Sequence, residues 1–171
     1  LFEERELSIA ECADYLHQTI EIIQSRFPQV NIILTVSPIR YRKYGYHGSQ
    51  LSKATLLLAV EETIRMADKT KCGKVAYFPS YEIVNDELRD YRFYQDDMLH
   101  PSSQAVDYIF ERFADTYFSN ETFDFLKAWK PIREALSHRP VHPESTEYKA
   151  FLARTNEKAK QLQQKYPQLE L

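Results

Sequence analysis

Two short apolar runs, separated by a helical pattern, limit most strongly what this chain can fold into. Residues 31–37 (NIILTVS) and 74–78 (KVAYF) are apolar without alternation, and Pro38 and Pro79 follow them. Runs of this kind suit strands that are buried on both faces of a parallel sheet. Because a helical pattern at about 51–69 lies between them, the sequence predicts a β–α–β unit with two parallel strands.

The rest of the chain is predominantly helical by its apolar spacing. A period of 3.6 residues predicts helices at about 8–27, 51–69, 102–118, 122–136 and 145–166, with a helical turn at 81–88. Ser8 is a candidate N-cap, Gly73 a plausible terminator, and Pro131 is expected to kink or divide its helix. We therefore predict the α/β class, with the charged helix at 145–166 on the surface or against a partner.

Composition excludes several kinds of function. A net charge of -3 gives no reason to expect nucleic acid as a partner, and no apolar run approaches the ~20 residues that span a bilayer. Three glycines form neither a dinucleotide fingerprint nor a P-loop, so we expect no cofactor. His138 and His142 lack a third ligand, which argues against a metal site. Cys12 and Cys72 lack metal or redox spacing, which favours a reduced, cytoplasmic setting.

A polar, aromatic-rich stretch at 91–103 carries the first candidate for chemistry. It contains Asp97 and His100 in the pattern D-x-x-H-P, directly before a helix. A carboxylate three residues before a histidine can accept from one ring nitrogen and leave the other free to act as a base. The alternative is a cap, in which Pro101 takes the first helical position and the preceding residues only end the loop.

The stretch at 39–50 carries the second candidate, because it reads as a long loop at the carboxyl end of the first strand. Open α/β folds place ligands at that edge. We therefore predict that Arg40, His47 and Gln50 bind a small-molecule or acyl substrate. Its basic and aromatic residues could also stack on bases, but the acidic balance of the chain argues against this. A solvated loop that packs its own tyrosines is the structural alternative.

The chain resembles the GSCFA family, a bacterial family grouped with the SGNH (GDSL-like) hydrolases. The similarity runs over about 31–118, in the segments 34–38 (LTVSP), 47–53 (HGSQLSK), 77–94 (YFPSYEIVNDELRDYRFY) and 97–102 (DMLHPS). The resemblance implies the carboxyl-terminal part of a flavodoxin-like SGNH-hydrolase sheet in residues 1–119. Residues 120–171 would then be a helical C-terminal extension.

The resemblance also implies a function and a partial site. In such hydrolases the histidine of D-x-x-H is the general base and the aspartate orients it, and these roles fall on His100 and Asp97. The family's nucleophilic serine, in a G-S-C-F-A motif, and its oxyanion-hole glycine and asparagine are absent from this sequence. The resemblance thus implies a bacterial ester hydrolase or acyltransferase acting on a small-molecule, carbohydrate or lipid ester.

Because the sequence begins at Leu1 and holds only half of such a site, we expect it to be cut from a longer protein and inactive alone. A signal peptide therefore cannot be assessed. Two other classes of function stay open. The fold could be a ligand-binding module without catalysis, or an interaction module that forms homo-oligomers through the helix at 145–166.

Overall fold

A pair of parallel strands forms the sheet in the part of the chain that the structure describes. The computed structural model describes residues 4–67 and 73–167, most of them in helices. Strand β1 (Ile32–Leu34) pairs with β2 (Val75–Tyr77) in parallel, with Ile32 opposite Val75 and Leu34 opposite Tyr77. The predicted β–α–β unit and the α/β class are confirmed in this form. Both strands are shorter than the apolar runs that predicted them.

In the described residues, six α-helices accompany the strands. They are α1 (Ile9–Arg26), α2 (Gly45–Ala67), the short α3 (Ser80–Glu82), α4 (Ser103–Tyr117), α5 (Asn120–Ser137) and α6 (Thr146–Lys165). A π-helical turn (Ile83–Glu87) continues α3, and 3-10 turns at Arg42–Tyr44 and Tyr91–Phe93 precede α2 and α4. Ser8 caps α1 as predicted, in a reciprocal capping box with Glu11.

The chain divides into two compact units, Leu1–Phe113 and Ala114–Leu171. In the first unit α1 packs on α2 through small residues, since Ala13 and Ala59 are both buried. A second buried group lies beyond the carboxyl end of β2, on the elements that flank the 94–101 segment. It comprises Phe78, Ile83, Val84, Leu88 and Ala105, with Phe93 and Tyr94 packed against it.

Two predictions for α2 were wrong. Its first turns occupy 45–50, which the sequence placed in a loop, so His47 and Gln50 lie on a helix. The apolar residues whose spacing predicted this helix, such as Leu58, do not form its buried face either: Leu58 is 54% exposed, whereas Ser49, Lys53 and Thr63 are buried. These three polar side chains bond backbone groups: Lys53 donates to the Ser37 carbonyl, Thr63 to that of Ala59, and Ser49 accepts from the Tyr41 N–H. Satisfied polar groups can replace apolar ones at a packed surface.

The second unit has its own apolar centre. Ile132, Ala159, Leu162 and Tyr166 are buried together, with Phe125 and Trp129 packed against them. Helix α5 runs through Pro131 without interruption, so Pro131 does not divide it, and the kink expected there stays a prediction. Helix α6 matches the predicted helix at 145–166, with Ser145 as its N-cap. In the residues described, no helix is long and apolar enough to cross a membrane.

Candidate functional site

Asp97 and His100 lie on a tight loop between the 3-10 turn at Tyr91–Phe93 and helix α4. An antiparallel bridge joins Tyr94 to Pro101 across the base of this loop. The Gln95 N–H donates to the His100 carbonyl at 2.8 Å. Helix α4 begins only at Ser103, so Pro101 is not its first residue, and the Ala105 N–H is instead capped by the Ser102 hydroxyl at 3.3 Å. The predicted placement of Pro101 at the first helical position was therefore wrong, and a purely structural role for the preceding residues stays an open alternative to catalysis.

The loop brings the two side chains into direct contact. Asp97 Oδ2 lies 2.6 Å from His100 Nδ1, while Asp97 Oδ1 accepts from the Leu99 N–H at 2.8 Å and the His100 N–H at 3.0 Å. The carboxylate thus fixes the backbone with one oxygen and the imidazole with the other. With its proton on Nδ1, the ring presents Nε2 as the free basic nitrogen.

The electrostatics of the pair follow from these bonds. The backbone N–H of His100, then its side chain and the Leu99 N–H, lower the pKa of Asp97 from 3.8 to about 2. Asp97 is therefore a carboxylate at all pH values where proteins are commonly active. The pair is accessible, since the side chains of His100 and Asp97 are 52% and 41% exposed. A second molecule or another segment can reach Nε2.

Met98 has an unfavourable backbone conformation within the loop. Its φ of 59° lies in the left-handed region, where a side chain other than glycine is unfavourable. This turn carries the chain round so that the next two N–H groups face the carboxylate of Asp97. Backbone strain of this kind persists where the surroundings hold it in place.

Arg40 supplies a contact from outside the loop. Its backbone N–H donates to the Leu99 carbonyl at 3.0 Å, and its Nη1 donates to the Met98 carbonyl at 3.2 Å. The guanidinium lies 4.6 Å from the ring centre of Tyr46 and 5.4 Å from that of Tyr94. From the sequence we predicted that Arg40 binds substrate. The structure places Arg40 against the backbone of the Asp97–His100 loop.

The other two predicted ligands lie on α2. Gln50 Oε1 accepts from the Tyr81 hydroxyl at 2.6 Å, which connects α2 to the segment after β2. His47 is exposed in the first turns of the helix. Across residues 4–67 and 73–167, neither side chain is hydrogen-bonded to Asp97 or His100. Their role in binding substrate stays a prediction.

Sequence reasoning missed the residues that hold the 37–41 segment. Lys53 Nζ donates to the Ser37 carbonyl at 2.6 Å, and Ser49 Oγ accepts from the Tyr41 N–H at 3.1 Å. Burial lowers the pKa of the Lys53 ammonium. The apolar spacing of the chain gave no signal for Lys53 or Ser49, because the burial of these polar side chains is visible only in the structure. No group of three or more metal-ligating side chains lies together in the part of the chain that is described.

The fold and the site together define an α/β protein that presents a hydrogen-bonded Asp–His pair on a loop beyond two parallel strands. The chain belongs to the GSCFA family, whose family model matches residues 1–113. A second model, the C-terminal domain of GSCFA domain proteins, matches residues 129–171. The predicted family membership is thereby confirmed. Comparison with curated proteins and with solved structures gives no significant match.

Proposed function

We propose that this chain is part of an SGNH-type serine hydrolase that acts on ester groups, with His100 as general base and Asp97 as the residue that orients it. The observation that carries the proposal is the 2.6 Å contact between Asp97 Oδ2 and His100 Nδ1, on a loop that leaves the imidazole half exposed. Membership of the GSCFA family supports it, through the relation to SGNH hydrolases that the sequence resemblance implies.

The proposed reaction needs a serine that lies outside these 171 residues, as the resemblance implies. His100 Nε2 takes the proton of that hydroxyl as the oxygen attacks the ester carbonyl. The imidazolium then gives the proton to the leaving alcohol, which departs as an acyl-enzyme forms. Water, or an acceptor alcohol in a transferase, repeats the sequence and releases the acyl group.

Asp97 has two tasks in this scheme. It keeps the proton on Nδ1, so that Nε2 is free to accept one, and it stabilises the imidazolium that forms. Because its carboxyl has a pKa of about 2, Asp97 keeps its negative charge throughout. His47 and Gln50 are the proposed contacts to a small-molecule, carbohydrate or lipid ester.

Fluorophosphonate labelling tests the proposal, because the reagent reacts with activated serines. We expect the natural full-length product to be labelled at one serine outside this chain, and His100→Ala to abolish that labelling. Val141→Ala, at an exposed position in the second unit, is the matched control and should label normally. If the full-length product does not label, or if His100→Ala labels as wild type does, the hydrolase proposal is wrong. A ligand-binding or interaction module would then be the better reading.

A further inference from the structure

Among the described residues, Arg40 holds the backbone of the Asp97–His100 loop from a different segment. Only Met98 and Leu99 stand between the aspartate and the histidine. Arg40 bonds the carbonyl of each, through its side chain at 3.2 Å and its backbone N–H at 3.0 Å. A displacement of either carbonyl would turn the N–H groups that face Asp97 Oδ1, because each peptide unit is planar.

Arg40 is itself well anchored. The 37–41 segment is fixed to α2 on both sides of Arg40, by Lys53 at the Ser37 carbonyl and by Ser49 at the Tyr41 N–H. The guanidinium is flanked by the rings of Tyr46 and Tyr94, an arrangement that favours a planar cation. Its position is therefore set by α2 and by the base of the loop.

The loop needs such support. Met98 has a left-handed backbone, and the side chains of Asp97 and His100 are 41% and 52% exposed, so apolar packing does little to hold them. The bonds from Asp97 to Leu99 and His100 are local to the loop. Arg40 Nη1 bonds the carbonyl of the strained residue itself, which ties the left-handed turn to α2.

We propose that Arg40 is a positioning residue, which holds Met98 and Leu99 so that Asp97 and His100 keep their hydrogen bond and Nε2 its direction. This inference rests on the proposed function for its consequence in catalysis. It differs from the sequence-based prediction, in which Arg40 binds substrate. The two roles predict different measurements.

The test uses three variants. Arg40→Met keeps most of the aliphatic stem and removes the charge and the donor, whereas Arg40→Lys keeps the charge and one donor. Arg42→Met is the matched control, since Arg42 is an exposed arginine two residues away that has no hydrogen bond to the loop among the described residues. The backbone bond from residue 40 to the Leu99 carbonyl remains in all three, so the variants isolate the side chain.

The first readout does not require activity. Nitrogen-15 NMR of the histidine ring in the 171-residue chain reports which nitrogen of His100 carries the proton. We expect a predominant Nδ1–H form in wild type and Arg42→Met, a mixture of the two forms in Arg40→Met, and an intermediate result in Arg40→Lys. Amide signals of Ile32 and Phe78, which are bonded across the strand pair, verify that each variant is folded.

The second readout is ester hydrolysis by the natural full-length product. We expect Arg40→Met to lower kcat by about 10- to 100-fold with little change in KM, because a small misplacement of a base is costly. Recovery of most of kcat in Arg40→Lys would agree with this role.

Two results would overturn the inference. If the nitrogen-15 signals of the His100 ring in folded Arg40→Met match those of wild type, the Arg40 side chain does not position His100. A rise in KM at unchanged kcat would instead make Arg40 a substrate ligand. If the wild-type full-length product hydrolyses no ester, the proposed function is wrong. The nitrogen-15 signals of the His100 ring would still decide whether Arg40 positions His100.

Discussion

The two oxygens of Asp97 have separate partners, and this allows its two roles to be tested apart. Oδ1 accepts from two backbone N–H groups, whereas Oδ2 contacts His100 Nδ1. In Asp97→Asn an amide oxygen can keep the backbone bonds, but the NH₂ group cannot accept from Nδ1–H. We expect hydrolysis by the full-length product to fall on the order of 10³-fold or more, because the wrong tautomer is then favoured.

Asp97→Ala is the comparison, since it removes both sets of bonds. We expect it to lose the loop geometry as well, so the amide signals of Leu99 and His100 should shift far more than in Asp97→Asn. Kinetics and amide NMR on both variants check this. If Asp97→Asn moved the loop as much as Asp97→Ala, the backbone bonds to Oδ1 would be less important than the structure indicates.

The titration of Asp97 is a second test at this scale. Its pKa of about 2 lies below the ordinary value of 3.8, so its bonds stabilise the fold above about pH 4 and this contribution is lost as the pH falls towards 2. Carboxyl carbon-13 NMR should show a midpoint near 2. In His100→Ala the midpoint should rise yet stay below 3.8, because the N–H groups of residues 99 and 100 still donate.

Glu11 is an internal control for that titration. The backbone N–H and hydroxyl of Ser8 lower its pKa to about 2, through contacts that do not involve the loop. Its midpoint should be unchanged in His100→Ala and should rise in Ser8→Ala. A wild-type midpoint for Asp97 at its ordinary value would mean that the backbone N–H groups do not reach Oδ1.

At the scale of elements, the sequence predicted what depends on local pattern. The candidate N-cap Ser8 and the 3.6-residue period located α1, and the two unalternating apolar runs located the parallel strands. The sequence did not predict the start of α2, because Gly45 and Gly48 are poor helix formers. The side chains that are buried in its first turns are also polar. Ser49 and Lys53 bond backbone groups of the preceding 37–41 segment, which a hydrophobicity pattern cannot reveal.

The same distinction applies to the site. The spacing of Asp97 and His100 was sufficient to predict their contact, since three residues can close a turn on themselves. The contact of Arg40 with the carbonyls of Met98 and Leu99 spans 58 residues for the side chain, and no local pattern encodes it. Sequence reasoning therefore found the contact between Asp97 and His100 and missed the bonds from Arg40 to their loop.

Gly73 shows how closely the connection into β2 is packed. Its N–H donates to the Pro28 carbonyl at 2.8 Å, and a Cβ built on it would lie 2.0 Å from the carbonyl oxygen of Val30. Because that neighbour is backbone, Gly73→Ala must displace the chain beside β1. We expect a loss of about 1–3 kcal/mol in the free energy of unfolding, measured by urea denaturation with circular dichroism.

Gly45→Ala provides the comparison for Gly73→Ala. Gly45 has a φ of +69° and a ψ of 173°, a conformation that essentially only glycine adopts, but there is open space around a built Cβ, so only a conformational penalty of about 1–3 kcal/mol applies. The variant of Gly73 should also disturb the amide signals of Ile32 and Val75, which the variant of Gly45 should leave unchanged. If Gly73→Ala left the free energy of unfolding unchanged, residue 73 would lie farther from the Val30 backbone than it does in the structure.

At the scale of the whole molecule, the site belongs to one of two compact units. Asp97, His100 and Arg40 all lie in Leu1–Phe113, the stretch that the GSCFA family model also matches. The boundary that the sequence predicted at 119/120 stays a prediction. Since the buried group around Ile83 and the one around Ile132 share no residue, we expect the two units to differ in stability.

A single tryptophan makes that expectation measurable. Trp129 packs against the buried group of the second unit, so its fluorescence reports on that unit, while the ring signals of His100 report on the first. Ile132→Ala removes a side chain that is 5% exposed and should cost about 2–5 kcal/mol. We expect the fluorescence transition in urea to move to lower concentration and the transition of the His100 signals to stay in place. Coincident movement of both transitions would show that the chain unfolds as one cooperative body, in which mutations in the second unit also affect the candidate site.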